Sequence, residues 1–192
     1  MLFFKKENKD LERQAKILKE VTEALFKEAE RCQLDGELTT VKKDIIEYNK
    51  RLHTNGLEKF NSPSYLAAVS YFRTPDDMAK EKAVGAFLLY IEGEECFNIL
   101  RAHGYKAEDD EDQDQIAAKC AEFCKKLGER LKNALAAAGF ADLVMSEPLF
   151  GRNQLSQGPL FSLDQYSMME LSGSILKAKR IVLNLTLTTI PK

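Results

Sequence analysis

The sequence predicts an α+β fold in which an antiparallel sheet carries two long helices on one face. Three observations predict it. Two stretches of more than twenty residues have helical spacing and no internal proline. Two apolar, aromatic-rich runs are joined by a polar connection, and the chain ends on a run of strict alternation.

The first helix is expected over residues 10–33, where Leu11, Ile17, Leu18, Val21, Leu25 and Ala29 recur at helical spacing among strong helix formers, and Asp35-Gly36 stops it. In residues 37–61, Val41, Ile45, Ile46 and Leu52 are compatible with a further helix, which is the reading adopted. Leu38 to Val41 equally suits the opening of a strand, and Asn55-Gly56 and Ser62-Pro63 are turn signals. YLAAVSYFR (65–73) and AVGAFLLYI (83–91) form a β-hairpin across TPDDMAKEK. Gly85 is costly in a strand and marks a bulge or a close backbone approach.

A short helix follows over residues 94–103, with Cys96, Ile99 and Leu100 on one face and Gly104 as its stop. The acidic run 108–114 then leads into and caps the second long helix, residues 114–138, which Gly139 ends. Residues 143–146 form a short strand, 152–159 a polar loop, and 165–171 and 179–190 the last strands. In the final one Ile181, Leu183, Leu185 and Leu187 alternate with Val182, Asn184, Thr186 and Thr188. Gly173 is expected in a hairpin turn, and Met168-Met169 in the core.

With 192 residues, 44% of them hydrophobic, the chain suits one domain: a core with an N-terminal helix (about 10–33) and an extra segment (about 37–61) before it. A net charge of -2 argues against nucleic acid as a partner. No apolar run is long enough for a membrane span and the N-terminus lacks a signal-peptide core, so a cytoplasmic location is expected.

Cys32, Cys96, Cys120 and Cys124 are read as reduced thiols; Cys120 and Cys124 have metal-clip spacing, but His53 and His103 are both remote in sequence. Neither bound cofactor nor metal is expected. There is no glycine-rich phosphate loop, and two histidines at unhelpful positions give a hydrolytic triad no support.

The segment from Ala117 through Asn153, with AEFCKKLGERLKNALAAAGFADLVMSEPLFGRN at its heart, resembles the signature region of the CheC/CheX family of chemotaxis phosphatases. Glu122, Lys132, Leu135, Gly139, Phe140, Pro148 and Gly151 fall where that pattern has Glu, Lys, Leu, a Gly-aromatic pair, Pro and Gly. The order of elements over residues 65–190 matches as well. The resemblance implies a CheC/CheX-like fold, a homodimer, and a response-regulator receiver domain as partner, whose aspartyl-phosphate the family hydrolyses; any Mg²⁺ belongs to that receiver.

In the family the Glu contacts the receiver's lysine, and an Asn three residues on orients the attacking water. Here that position holds Lys125, and Glu129 replaces a glycine one turn later. A lysine has only donors, so it cannot hold water through an acceptor as a carboxamide does. The expectation is therefore a CheX-like receiver-binding protein with weak or no phosphatase activity, its site at Glu122 and Lys125. Two alternatives stand: an active phosphatase in which Glu122 works with Asn98 or Asn133, and a non-catalytic assembly protein of a chemosensory complex. Glu122 with Lys125 and Lys126 also has the spacing of ordinary helix-surface ion pairs. A second Glu-x-x-Asn, Glu95 to Asn98, sits on the short helix and becomes the better candidate if the fold opens it to solvent.

Overall fold

The computed structural model describes residues 2–108 and 111–188, with side chains from residue 10 onward. Asp109 and Asp110 of the acidic run, and Thr189 and Ile190 of the last strand, lie outside the described residues.

The elements in order are α1 (Leu2–Lys27), β1 (Thr39–Asp44), β2 (Glu47–Tyr48), β3 (Arg51–Leu52), α2 (Leu57–Phe60), β4 (Ser64–Phe72), α3 (Pro75–Ala79) and β5 (Gly85–Glu92). They continue with α4 (Gly93–Ala102), α5 (Gln113–Ala137), β6 (Val144–Met145), β7 (Leu149–Arg152), β8 (Ser167–Ile175) and β9 (Ala178–Leu187). Among the described residues seven strands form one antiparallel sheet in the order β1-β8-β9-β5-β4-β6, with β7 also on β4.

Period-2 alternation sends the odd-numbered residues of β4, β5 and β9 toward the helices: Val69 and Tyr71, Phe87 and Leu89, Leu183 and Leu185. Against them α1 lays Leu11, Ala15, Leu18 and Leu25, and α5 lays Ile116, Cys120, Leu127, Leu131 and Leu135. Each set repeats at three- and four-residue steps, the stripe an amphipathic helix buries. Buried Gln14 ties α1 to the sheet by donating to the Leu187 carbonyl at 3.0 Å. The α+β class and the helices on one face are as the sequence predicts.

The opposite face is covered too. Leu66, Ala68, Leu88, Tyr90 and Val182 pack under Leu52, Leu155 and Phe161. Backbone bonds hold this cover together: Leu52 N–H donates to Pro159 O at 3.1 Å and Gly56 N–H to Asn153 O at 2.7 Å.

Residues 37–61 therefore do not form the expected helix. Their apolar residues serve different surfaces, Leu38 the helix-side core and Leu52 the opposite one, while Val41 and Ile46 face solvent, so no helical stripe exists. Thr39–Asp44 joins the main sheet beside β8, and Asn49 and Lys50 adopt left-handed φ in the tight turn between β2 and β3.

Two smaller corrections follow. The first helix ends at Lys27 rather than Gln33, because Glu28 and Ala29 tighten into i→i−3 bonds and the Gln33 side chain donates to the Phe26 and Ala29 carbonyls. Gly173 lies within β8 beside a bulge, not in a turn; a Cβ there would lie 2.9 Å from both Ile181 Cγ2 and Leu34 Cδ2. The turn is made by Leu176 and Lys177, both left-handed.

Candidate functional site on the outer face of the second long helix

Asp112 caps α5, its side chain accepting from Asp114 N–H at 2.7 Å, which is the capping role expected of the acidic lead-in. Gly139 closes the helix in the left-handed region, and Phe140, buried, returns its N–H to Leu135 O at 3.0 Å. The position of the helix on the sheet is fixed from below, where fully buried Tyr71 donates to Gly128 O at 3.0 Å.

With Phe123, Cys124 and Leu127 buried, Glu122 and Lys126 are turned to solvent and Lys125 is half-buried. Lys125 does not pair with Glu122. Its ammonium bonds both oxygens of Glu147, at 2.8 and 2.7 Å, on the loop leading to β7. Glu122 consequently has no hydrogen bond or ion pair among the described residues; its charge is felt by Tyr105, whose phenol is pushed up first by burial and then by Glu122. Further along, Glu129 pairs with Lys132 at 2.8 Å, and Arg130 makes a two-point bond to Glu28 of α1 at 2.6 and 2.9 Å.

The structure does not bring the alternative amides to Glu122. Asn133 is exposed eleven residues on, about 16 Å along the helix axis. Asn98 lies on α4, whose Cys96 is buried in the same core as Cys120 of α5. Two residues on, roughly 200° around the helix, Asn98 faces away from α5 into a cavity bounded by residues 30–35 and the β8–β9 turn. Asn98 is exposed, whereas Glu95, its partner in the motif, is 5% exposed. The second Glu-x-x-Asn is thus half open.

Nothing pointed to Glu147 in advance except its place before Pro148, which favours an extended backbone there. All four cysteines are free and buried, and burial pushes the Cys32 thiol up to about 11. His103 packs against Phe26 and Phe123, and His53 is exposed on the opposite cover. Among the described residues no group of three or more His, Cys, Asp or Glu is placed to hold a metal ion. No helix there is long and apolar enough to cross a membrane.

Neither a protein-family model nor a curated protein matches the sequence. Solved structures do match the fold. The chain is similar to a chemotaxis protein CheX from Desulfovibrio desulfuricans, with 11% identity over 92% of this chain and 99% of that one and a TM-score of 0.57. A chemotactic CheC-like protein from Shewanella oneidensis has 11% identity, 90% and 95% coverage and a TM-score of 0.53. FliY from Thermotoga maritima has 12% identity, 92% and 90% coverage and a TM-score of 0.55. The fold is CheC/CheX-like.

Proposed function

We propose that this chain, taken as one CheX-like domain, is a cytoplasmic signalling protein that binds a response-regulator receiver domain through the outer face of α5, with little or no phosphatase activity. The fold shared with CheX and CheC-like chemotaxis proteins supports the partner class. The observation that carries the reading is the state of the α5 pair: Glu122 is exposed and unpaired among the described residues, while Lys125 is held by Glu147. An unpaired carboxylate is available to an ammonium on a partner. A lysine bonded to Glu147 opposes that ammonium less, because Glu147 offsets its charge. Hydrolysis needs an acceptor aligned on the attacking water. No carboxamide stands within one turn of Glu122, so recognition remains without the chemistry.

The test is calorimetric titration with receiver domains from the same genome, beside the decay of their phosphorylated forms. Binding weakened about tenfold by Glu122→Ala, with unchanged decay, is expected; affinity indifferent to Glu122 overturns the reading, and accelerated decay favours the phosphatase.

An assembly role is favoured by a different surface. Ile46, Tyr48 and Tyr166 are exposed beside the end of β1, where Ile45 N–H donates to Tyr166 O at 3.0 Å. Among the described residues the outer edge of β1 is unpaired in the sheet order, and it is the place where a homodimer would form. From Asp10 to Lys27 α1 exposes no large apolar side chain, so it offers assembly no comparable surface. Tyr48→Ser with Tyr166→Ser separates the readings: receiver binding should survive it, and self-association or capture by an assembly partner should not.

A further inference from the structure

The cavity beside α4 stands apart from the α5 face, on the side of α4 turned away from Cys120, and carries an inference independent of receiver binding. It measures about 620 Å³, within the range of small-ligand sites. Residues 30–35 form one wall, α4 another, and Ile175 and Leu176 the third.

Two carboxylates at the start of α4 are both buried, and their fates differ. Glu92 is fully engaged, accepting from Ser62 Oγ at 3.1 Å and from Glu95 N–H at 3.2 Å, with the Arg180 guanidinium at 2.9 Å. Glu95, at 5% exposure, lines the cavity, and its carboxylate has neither hydrogen bond nor ion pair among the described residues. Its carboxylate oxygens keep contact with the cavity, where solvent or a ligand from outside the chain meets them.

The surroundings define what would meet it. Glu30 and Asp35 add negative charge at the wall and Arg31 adds positive charge, so with Glu95 the three carboxylates outnumber the guanidinium groups of Arg31 and Arg101 by one. Asp35 is fixed in place because its carboxylate accepts from Lys177 N–H. Arg101 also lines the cavity, but its Nε donates to Ala107 O at 2.5 Å. Asn98, one turn from Glu95, supplies a neutral acceptor, and Ala102 and Ile175 supply apolar wall. A bare metal ion needs several ligands converging within about 2.0–2.6 Å, and no such group exists among the described residues. A cation that spreads its donors over several ångströms and carries a short hydrocarbon fits better.

We propose that the cavity between residues 30–35, α4 and the β8–β9 turn binds a small organic cation, a primary amine or guanidinium, with its charged nitrogen on Glu95 and its carbon chain against Ile175 and Ala102. Asn98 is the accessory acceptor at the mouth.

The test uses the full chain with 1,4-diaminobutane and agmatine as probes and glutarate as a dianionic control, read by calorimetry and by amide NMR shifts. Saturable binding of a cationic probe is expected, with shifts centred on residues 30–35 and 95–102. Glu95→Gln should weaken it at least tenfold and Asn98→Ala severalfold. Because Glu95→Gln keeps the size and shape of the side chain, the melting temperature of the ligand-free chain should stay close to that of the parent, so the variant remains folded and the comparison valid. Failure of both amines to bind at millimolar concentration, equal affinity in Glu95→Gln, or glutarate binding as tightly as the amines overturns the proposal. Glu122→Ala should leave amine affinity unchanged, so loss of the receiver reading and loss of this site are separately visible.

Discussion

The Lys125 ammonium sits between the two carboxylate oxygens of Glu147, at 2.8 and 2.7 Å, and so links α5 to the loop before β7. Lys125 is half-buried and Glu147 well exposed, so the pair contributes little to stability and matters for the charge it arranges. Two expectations follow for receiver binding. Glu147→Ala frees a positive charge one turn from Glu122 and should weaken a receiver severalfold, most visibly at low salt. Lys125→Asn restores an acceptor at that position, and decay of a phosphorylated receiver should accelerate at least about tenfold, below the roughly hundredfold or more that one fully aligned polar group supplies. Unchanged decay in Lys125→Asn would mean that the face lacks more than an amide.

His103 gives stability a pH dependence of definite sign. Its ring lies 4.8 Å from Phe123 and 5.4 Å from Phe26, and its pKa falls from 6.5 to about 4, chiefly through burial and then through Lys126. The folded chain keeps the imidazole neutral while the unfolded chain protonates it below about 6.5. Stability from this group is therefore lost as pH falls from 6.5 toward 4 and changes no further below that. Allowing for its partial exposure, the loss between pH 7 and pH 5 should be about 1 kcal/mol. Urea unfolding of His103→Phe at those two pH values should show a smaller difference than the parent by about that amount. An identical difference in both proteins would remove His103 from the acid response.

Where each residue has one periodic role, the sequence was enough. The odd positions of the last strand, Ile181 to Leu187, and the stripe of α5 announce both their element and their buried side. Residues 37–61 were opaque because their apolar residues serve two core faces and the surface, and because Asn49-Lys50 turns the chain without glycine or proline. At the site, Glu122 and Lys125 could be placed on one exposed helix face from spacing alone. The partner of Lys125 could not, since Glu147 is twenty-two residues away and meets it only through the pairing of β6 and β7 with β4. The cavity at Glu95 was equally hidden, because its walls come from three distant segments.

Gly85 is the place where a strand glycine signalled close approach correctly. It pairs with Leu187, and a Cβ there would lie 2.9 Å from Leu187 Cα and nearer still to the Thr186 carbonyl oxygen. These are backbone atoms of a central strand and cannot swing aside. Gly85→Val should therefore destabilise by about 1–3 kcal/mol despite the higher β propensity of valine. A midpoint of chemical unfolding equal to or above that of the parent would contradict the packing of β5 on β9.

The seat of α5 on the sheet rests partly on the Tyr71 hydroxyl, which is fully buried and donates to Gly128 O at 3.0 Å. Burial pushes this phenol well above its ordinary range, so it remains a donor at every pH at which the protein is handled. In Tyr71→Phe the ring is kept and only the hydroxyl goes. The Gly128 carbonyl lies in the middle of α5, where the helix supplies its own N–H partner, so no group is orphaned. The loss should be near that of one net hydrogen bond, about 1 kcal/mol. If α5 depends on this bond for its position as well as its stability, Tyr71→Phe should also weaken receiver binding, although the residue lies beneath the proposed interface. Measuring unfolding and affinity on the same preparation distinguishes the cases: a stability loss with unchanged affinity means the apolar stripe alone sets where Glu122 is presented, and a parallel loss means Tyr71 helps to set it.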